Sequence, residues 1–262
     1  MELSREIRCW FAATPPSSDL RPANSWSGWL ASDDLNPFVV LRLTVAGQPD
    51  QRTGMLCDIQ ELDGMLRASV LAVDRRCGRS MSLIARDLWL QLTKCQPLAA
   101  KIVRLELAAS PYLRYGASVE LLNMVTITQQ FEFSAAHRLH CEQLSVAENQ
   151  SLFGKCNNPH GHGHNYVLEV TIAGTTESES AALLTLPELD RRVRSMVIDR
   201  LDHRNLNLEI AEFADLNPTV EQIARLIWKW LKAEVAPAKL HQVRVYETPK
   251  TWADVFASDE IL

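Results

Sequence analysis

The hydrophobic pattern divides the second half of the chain into five elements. "VTITQQFEFSAAH" alternates, with Val125, Ile127, Phe131 and Phe133 on one face, the period of a half-buried strand. "NYVLEVTIAG" predicts a second strand, ended by Gly174 and the polar run behind it. In "PELDRRVRSMVIDRL" the period becomes helical: Leu189, Val193, Met196, Val197 and Leu201 form a stripe, with Pro187 near the start. "TVEQIARLIWKWLKAEV" predicts a second helix. Thr219 and Gln222 make its capping box, and Val220, Ile223, Ile227 and Trp230 its apolar face. "HQVRVYET" is a closing strand. Strand, strand, helix, helix, strand, with both helices on one sheet face, is an α+β arrangement around a mainly antiparallel sheet.

The same pattern occurs earlier in weakened form. "VVLRLTVAG" (39 to 47) matches "YVLEVTIAG" (166 to 174) at five of nine positions, at an offset of 127. "ELD" recurs at 61 to 63 and 188 to 190, "IARDLW" at 84 to 89 echoes "IARLIW" at 223 to 228, and "VR" recurs at 103 and 243. Four matches in one order predict two tandem copies of one module, residues 1–119 and 120–262, each an antiparallel sheet with two helices on one face. The first copy is shorter by 12 residues where the second has "LDHRNLN". It also carries Trp29, Leu35 and Pro37 where the second has Cys156, His162 and His164.

Composition narrows the function. A net charge of −5 over 262 residues gives no sign of a nucleic-acid surface. No run approaches the roughly 18 apolar residues of a membrane span, and "MELSREIRCW" does not read as a secretory leader. Six scattered cysteines without CxxC spacing predict reduced thiols in a cytoplasmic protein. All seven histidines lie from position 137 onward, so histidine chemistry is confined to one half.

Three of those histidines, His160, His162 and His164, stand at alternate positions in "GKCNNPHGHGHNY", with Cys156 just upstream. Side chains at i and i+2 of a strand share a face about 6.5 to 7 Å apart, close enough for two imidazoles to converge on one ion. His162 and His164 are candidate ligands, and His137, ending the preceding strand, is the natural third. Three histidines leave one tetrahedral position open, the pattern of a catalytic zinc. The plainer alternative is a solvated strand face that happens to carry histidines.

Taken in order, "FSAAHRL", "GKCNNPHGHGHNY", "LDHRNLN", "NPTVEQIA" and "VYET" resemble the 6-pyruvoyl-tetrahydropterin synthase family, which includes the 6-carboxy-tetrahydropterin synthases. The resemblance spans nearly all of residues 124 to 250. It implies a T-fold assembled into a homo-oligomer with active sites between modules. It implies Zn2+ held by His137, His162 and His164, catalytic roles for Cys156, Asp202 and His203, a pterin-anchoring Glu247, and pocket-lining Thr219 and Glu221. The implied substrate is a small pterin, 7,8-dihydroneopterin triphosphate, which loses a proton beside oxygen and then triphosphate. A Lewis-acidic cation acidifies that C–H, a thiolate beside a cation can take the proton, and a carboxylate-oriented histidine can carry a second one. The other outcomes are a 6-carboxy product or a non-catalytic binder of pterin or metal.

Two features depart from the family pattern. His160 offers a second HxH register, although the tyrosine-led strand after His164 favours His162 and His164. The Gly-Met-Val-x-Asp stretch usual before the first helix is replaced by "AALLTLPELD" in the second module. It survives in the first as "TGMLCDIQELD", with Gly54, Met55 and Asp58. This predicts that the first module lends backbone around Gly54 and Met55 to a site carried by the second.

Overall fold

A computed structural model describes residues 1–10, 38–73, 80–94, 100–121, 124–176 and 183–261. Trp29, Leu35, Pro37, Cys77 and Cys95 lie outside these residues. The described chain forms two compact units. One is Met1–Ile127 with Gly174–Glu179, the other Thr128–Ala173 with Ser180–Leu262.

In the first unit, strands β1 (Glu2–Trp10), β2 (Phe38–Ala46), β3 (Lys101–Ser110) and β4 (Leu113–Ser118) pair antiparallel in that order. Helices α1 (Ile59–Ala72) and α2 (Met81–Lys94) bury Leu62, Leu66, Val70, Ile84, Leu88 and Leu92. Alternation aims Val39, Leu41, Leu43 and Val45 of β2 into this core, while Arg42 faces solvent between Glu6 and Glu106. Gly54 turns at φ +69, Met55 is exposed, and Asp58 caps α1 by accepting from Gln60 N–H at 2.8 Å.

The second unit holds the histidines. Strands β5 (Met124–His137) and β6 (His162–Thr175) run side by side, with α3 (Val146–Phe153) and a 3-10 turn, Gly154–Asn157, in the connection. The next helix is interrupted. α4 (Leu186–Val193) passes through a π turn at Arg194–Ile198 into the short α5 (Asp199–Leu201). The extra residue of the π turn resets the stripe, so Val197, Ile198 and Leu201 are buried while Met196 is only half-buried. A two-residue strand β7 (Arg204–Asn205) pairs parallel with Ala135 and Ala136 of β5, followed by α6 (Leu206–Glu209).

Helix α7 (Val220–Leu231) packs on β8 (Lys239–Thr248) and β9 (Thr251–Phe256). Thr219 caps it at its N-terminus. The predicted Trp230 sits at the margin, its ring under Arg200 and its Nε1 donating to Glu212 at 3.0 Å. Trp228 and Leu231 are buried instead. The sheet of this unit runs β5-β6-β8-β9, and β9 is a strand beyond the five predicted elements. Both units therefore share one order: two strands, two principal helices, two strands. The α+β, antiparallel architecture is as expected.

Candidate active site

The period of two carries His162, His164 and Tyr166 onto one face of β6, beside His137 at the end of β5. The ligand atoms of His137, His162 and His164 all lie within 4.8 Å of one another. Ring centroids are 4.5 Å apart for His137 and His162, 5.2 Å for His137 and His164, and 4.8 Å for His162 and His164. Glu247 joins them from β8, with Oε1 3.3 Å from His137 Nε2 and 3.6 Å from His164 Nε2.

Hydrogen bonding sets which nitrogens are available. His137 is fully buried, and its Nδ1 lies 2.7 Å from the carbonyl oxygen of Pro218, an acceptor, so Nδ1 carries the proton and Nε2 a lone pair. That lone pair faces His162 Nε2 at 3.1 Å and Glu247 Oε1. His164 Nε2 is buried without a hydrogen-bond partner, as is His162 Nδ1. Burial, reinforced by the neighbouring histidines, pushes His137 down to about 4 despite the opposing Pro218 bond. Burial and then His164 push His162 down too, against the pull of Glu247. At neutral pH the His137 ring is therefore uncharged, and its contact with Glu247 is no ion pair. With its own proton on Nδ1, His137 Nε2 can only accept from His162 Nε2, and three imidazoles converging beside a carboxylate form a set that could hold a divalent cation.

Beyond His137 the chain leaves the sheet, yet each of four successive backbone N–H groups is bound. Arg138 donates to Asn207 Oδ1 (2.7 Å), Leu139 to the Cys156 carbonyl (2.9 Å), His140 to Asn217 Oδ1 (2.8 Å) and Cys141 to Asn149 Oδ1 (2.8 Å). Asn207 Nδ2 returns a bond to the Arg138 carbonyl at 3.0 Å. Fully buried Asn149 donates to three carbonyls, those of Cys141, Leu144 and Ser145. Arg138 and His140 both reach Asn157 Oδ1. Gly161 permits the approach of the β6 end. Its φ is +72, and a Cβ there would meet the His137 carbonyl oxygen at 3.0 Å.

Cys156, half-buried and unbridged, sits in the 3-10 turn that this clamp ties to the end of β5. Tyr166 is completely buried, stacked on Phe133 with centroids 5.0 Å apart, and its hydroxyl has no partner. Burial, followed by Glu247 and Cys156, pushes its phenol far above the ordinary range.

Asp202 and His203 form a separate group. His203 Nδ1 lies 2.8 Å from Asp202 Oδ2. Asp202 Oδ1 accepts from Ser134 N–H at 2.7 Å, and His203 N–H donates to the Ser134 carbonyl at 2.6 Å. The Ser134 bond, with help from His203, holds the Asp202 carboxyl below its usual range despite partial burial. His203 takes φ +57, rare for a residue with a Cβ, and its ring is 82% exposed. Among the described residues, no hydrogen bond or ion pair joins this pair to the three histidines. Both groups border one open cleft of about 460 Å³, lined by His203, Arg204, Ser134, Asn165 and His164 among others.

Thr219 is half-buried at the α7 cap and Glu221 is exposed. The residue of that segment that reaches the histidines is Pro218. His160 is exposed and outside the histidine group. Sequence reasoning missed Pro218, Tyr166 and the asparagine clamp. Asn157, Asn207 and Asn217 stood inside motifs that pointed to other residues, and Asn149 stood in none of them.

A sequence model of the 6-pyruvoyl tetrahydropterin synthase family matches residues 126–258. The 6-pyruvoyl tetrahydrobiopterin synthase of Drosophila melanogaster is 42% identical over 125 residues, 47% of this chain and 74% of that one. Its human counterpart is 40% identical over 122 residues, 47% of this chain and 84% of that one. The solved Caenorhabditis elegans 6-pyruvoyl tetrahydropterin synthase is 40% identical, with a TM-score of 0.47, over 51% of this chain and 96% of that one.

Proposed function

The chain belongs to the 6-pyruvoyl tetrahydropterin synthase family, and on that premise we propose that it is a zinc-dependent lyase. Its substrate is 7,8-dihydroneopterin triphosphate, and it releases triphosphate to leave a 6-substituted tetrahydropterin of the 6-pyruvoyl type. The observation that carries this reading is the convergence of His137, His162 and His164 within 4.8 Å, with Glu247 beside them. Relatives 40 to 42% identical and named for the pyruvoyl product favour that product over the 6-carboxy one.

Zinc bound by the three histidines would supply Lewis-acid polarisation of the substrate side-chain oxygens. The residues of the chain do the rest. Cys156 takes the proton from the hydroxyl-bearing carbon next to the ring. The electron pair moves into the ring C=N as the ring is protonated, so the ring gains the two electrons the side chain loses. Deprotonation of the next hydroxyl-bearing carbon then expels triphosphate from its neighbour. His203 returns a proton, with Asp202 holding Nδ1 so that Nε2 points outward. Glu247 accepts the N–H donors of the aminopyrimidinone edge, and Thr219 and Glu221 line the same pocket. The exposure of His203 suits a residue whose substrate side is completed in a homo-oligomer. The first unit reads as a degenerate copy of the second, an interpretation supported by their shared element order.

The deciding experiment incubates the purified protein with dihydroneopterin triphosphate, identifies the product and measures bound metal. Triphosphate release that chelation abolishes and zinc restores is the expected result. A protein that binds zinc one-to-one yet releases no triphosphate would defeat the lyase reading.

A further inference from the structure

The Tyr166 hydroxyl is a buried polar group at the cluster that neither metal binding nor proton transfer uses. It has no hydrogen-bond partner, although its ring is completely buried. Buried polar groups are almost always paired, because leaving one unpaired forfeits its hydration. Its neighbour across the sheet is Glu247. The register that pairs Val167 with Tyr246 places Tyr166 opposite Glu247, with Cβ atoms about 4.5 to 5.5 Å apart on one face. In this state Glu247 Oε1 turns toward His137 Nε2 and His164 Nε2 instead.

Those two nitrogens are the ones a cation would claim. Once their lone pairs point at a metal, they offer the carboxylate nothing, and the donor standing across the strand is the Tyr166 hydroxyl. We propose that Tyr166 is a positioning residue for Glu247: filling the three-histidine site transfers Glu247 to the Tyr166 hydroxyl and fixes its carboxylate for ligand recognition. The inference rests on the metal reading above, and it adds a coupling in which the cation, Glu247 and Tyr166 settle together. No atom leaves the protein and no covalent bond changes.

Tyr166→Phe keeps the stack on Phe133 and removes only the hydroxyl. Wild type, Tyr166→Phe, Glu247→Gln and the double variant are each stripped of metal and reloaded with zinc. Melting temperature and zinc affinity, the latter by chelator competition, are then measured. Without metal, Tyr166→Phe should melt at or above the wild-type temperature, since an unpaired hydroxyl has gone. Its zinc affinity should fall roughly 10-fold or more, the scale of a hydrogen bond to a charged group. That loss should shrink strongly in the Glu247→Gln background, and KM for the pterin should rise more than kcat falls. Equal destabilisation with and without zinc would mean the hydroxyl is already paired, and would overturn the proposal. So would unchanged zinc affinity, or a loss that persists without the Glu247 carboxylate. A wild-type protein that binds no zinc would sink the metal reading itself, a separate result.

Discussion

Leu139 donates its backbone N–H to the carbonyl oxygen of Cys156 at 2.9 Å, two residues past the buried His137. The bond fixes the thiol-bearing turn to the strand end that presents the first histidine, and it uses none of the cysteine side chain. Cys156→Ala should therefore keep its fold while losing the proposed base. Turnover should drop by about 10² to 10⁴-fold, with a melting temperature near wild type and bound zinc unchanged. Full turnover in that variant would remove Cys156 from the mechanism.

Asn149 serves four backbone groups from a fully buried position. Alanine there removes the partner of Cys141 N–H and of the Leu144 carbonyl, while the Cys141 and Ser145 carbonyls keep backbone donors from Leu144 and residue 149. Urea denaturation of Asn149→Ala should show a loss of about 2 to 4 kcal/mol, more than surface substitutions give. A midpoint equal to wild type would mean that the 138–141 segment is held by other means.

Asp202 should leave a mark on acid stability. Its folded-state carboxyl is held below the usual range by Ser134 N–H and His203. A depressed value stabilises the folded state above the unfolded pKa of about 3.9, and that contribution is lost as pH falls through the folded value. Asp202→Asn should thus narrow its stability gap to wild type as pH falls from about 5 toward 2. A gap that stays constant over this range would show that the charge of Asp202 is not what the fold uses. Turnover of the same variant at neutral pH should fall by about 10²-fold or more, because His203 loses its orienting partner.

Gly161→Ala tests the approach of β6 to β5. The substitution meets both the left-handed φ of +72 and the His137 carbonyl oxygen at 3.0 Å. A cost of about 1 to 2 kcal/mol is expected from the backbone alone, with weakened zinc retention as His137 shifts. Zinc content and thermal melting, read together, check this. Normal retention would show that the strand end can give way without disturbing the ligand.

Local pattern made much of this molecule legible. The alternation of Phe131, Phe133 and His137 and the HxH at 162 and 164 express a period the backbone imposes, so the ligand face could be read without coordinates. What escaped depended on distance in sequence. Pro218 reaches His137 from 81 residues away through a carbonyl that any residue could supply, and Asn207 clamps Arg138 across 69. The π turn escaped because one inserted residue breaks the period without any special residue type to announce it. Strand β9 escaped because Trp252 and Asp254 on its outer face carry the Arg244 contacts and obscure the alternation. The Asp202–His203 pair was legible as a dipeptide, but its suspension from Ser134 was not.

The asparagine clamp has a further consequence for how the molecule avoids unwanted company. A strand that simply ran out at His137 would expose free N–H groups near the Cys156 turn, an open template for another chain to extend the sheet. Here the next four N–H groups are already taken by Asn207, Cys156, Asn217 and Asn149. The strand end that presents His137 is thereby closed to strand addition, and it gives an invading polypeptide nothing to pair with.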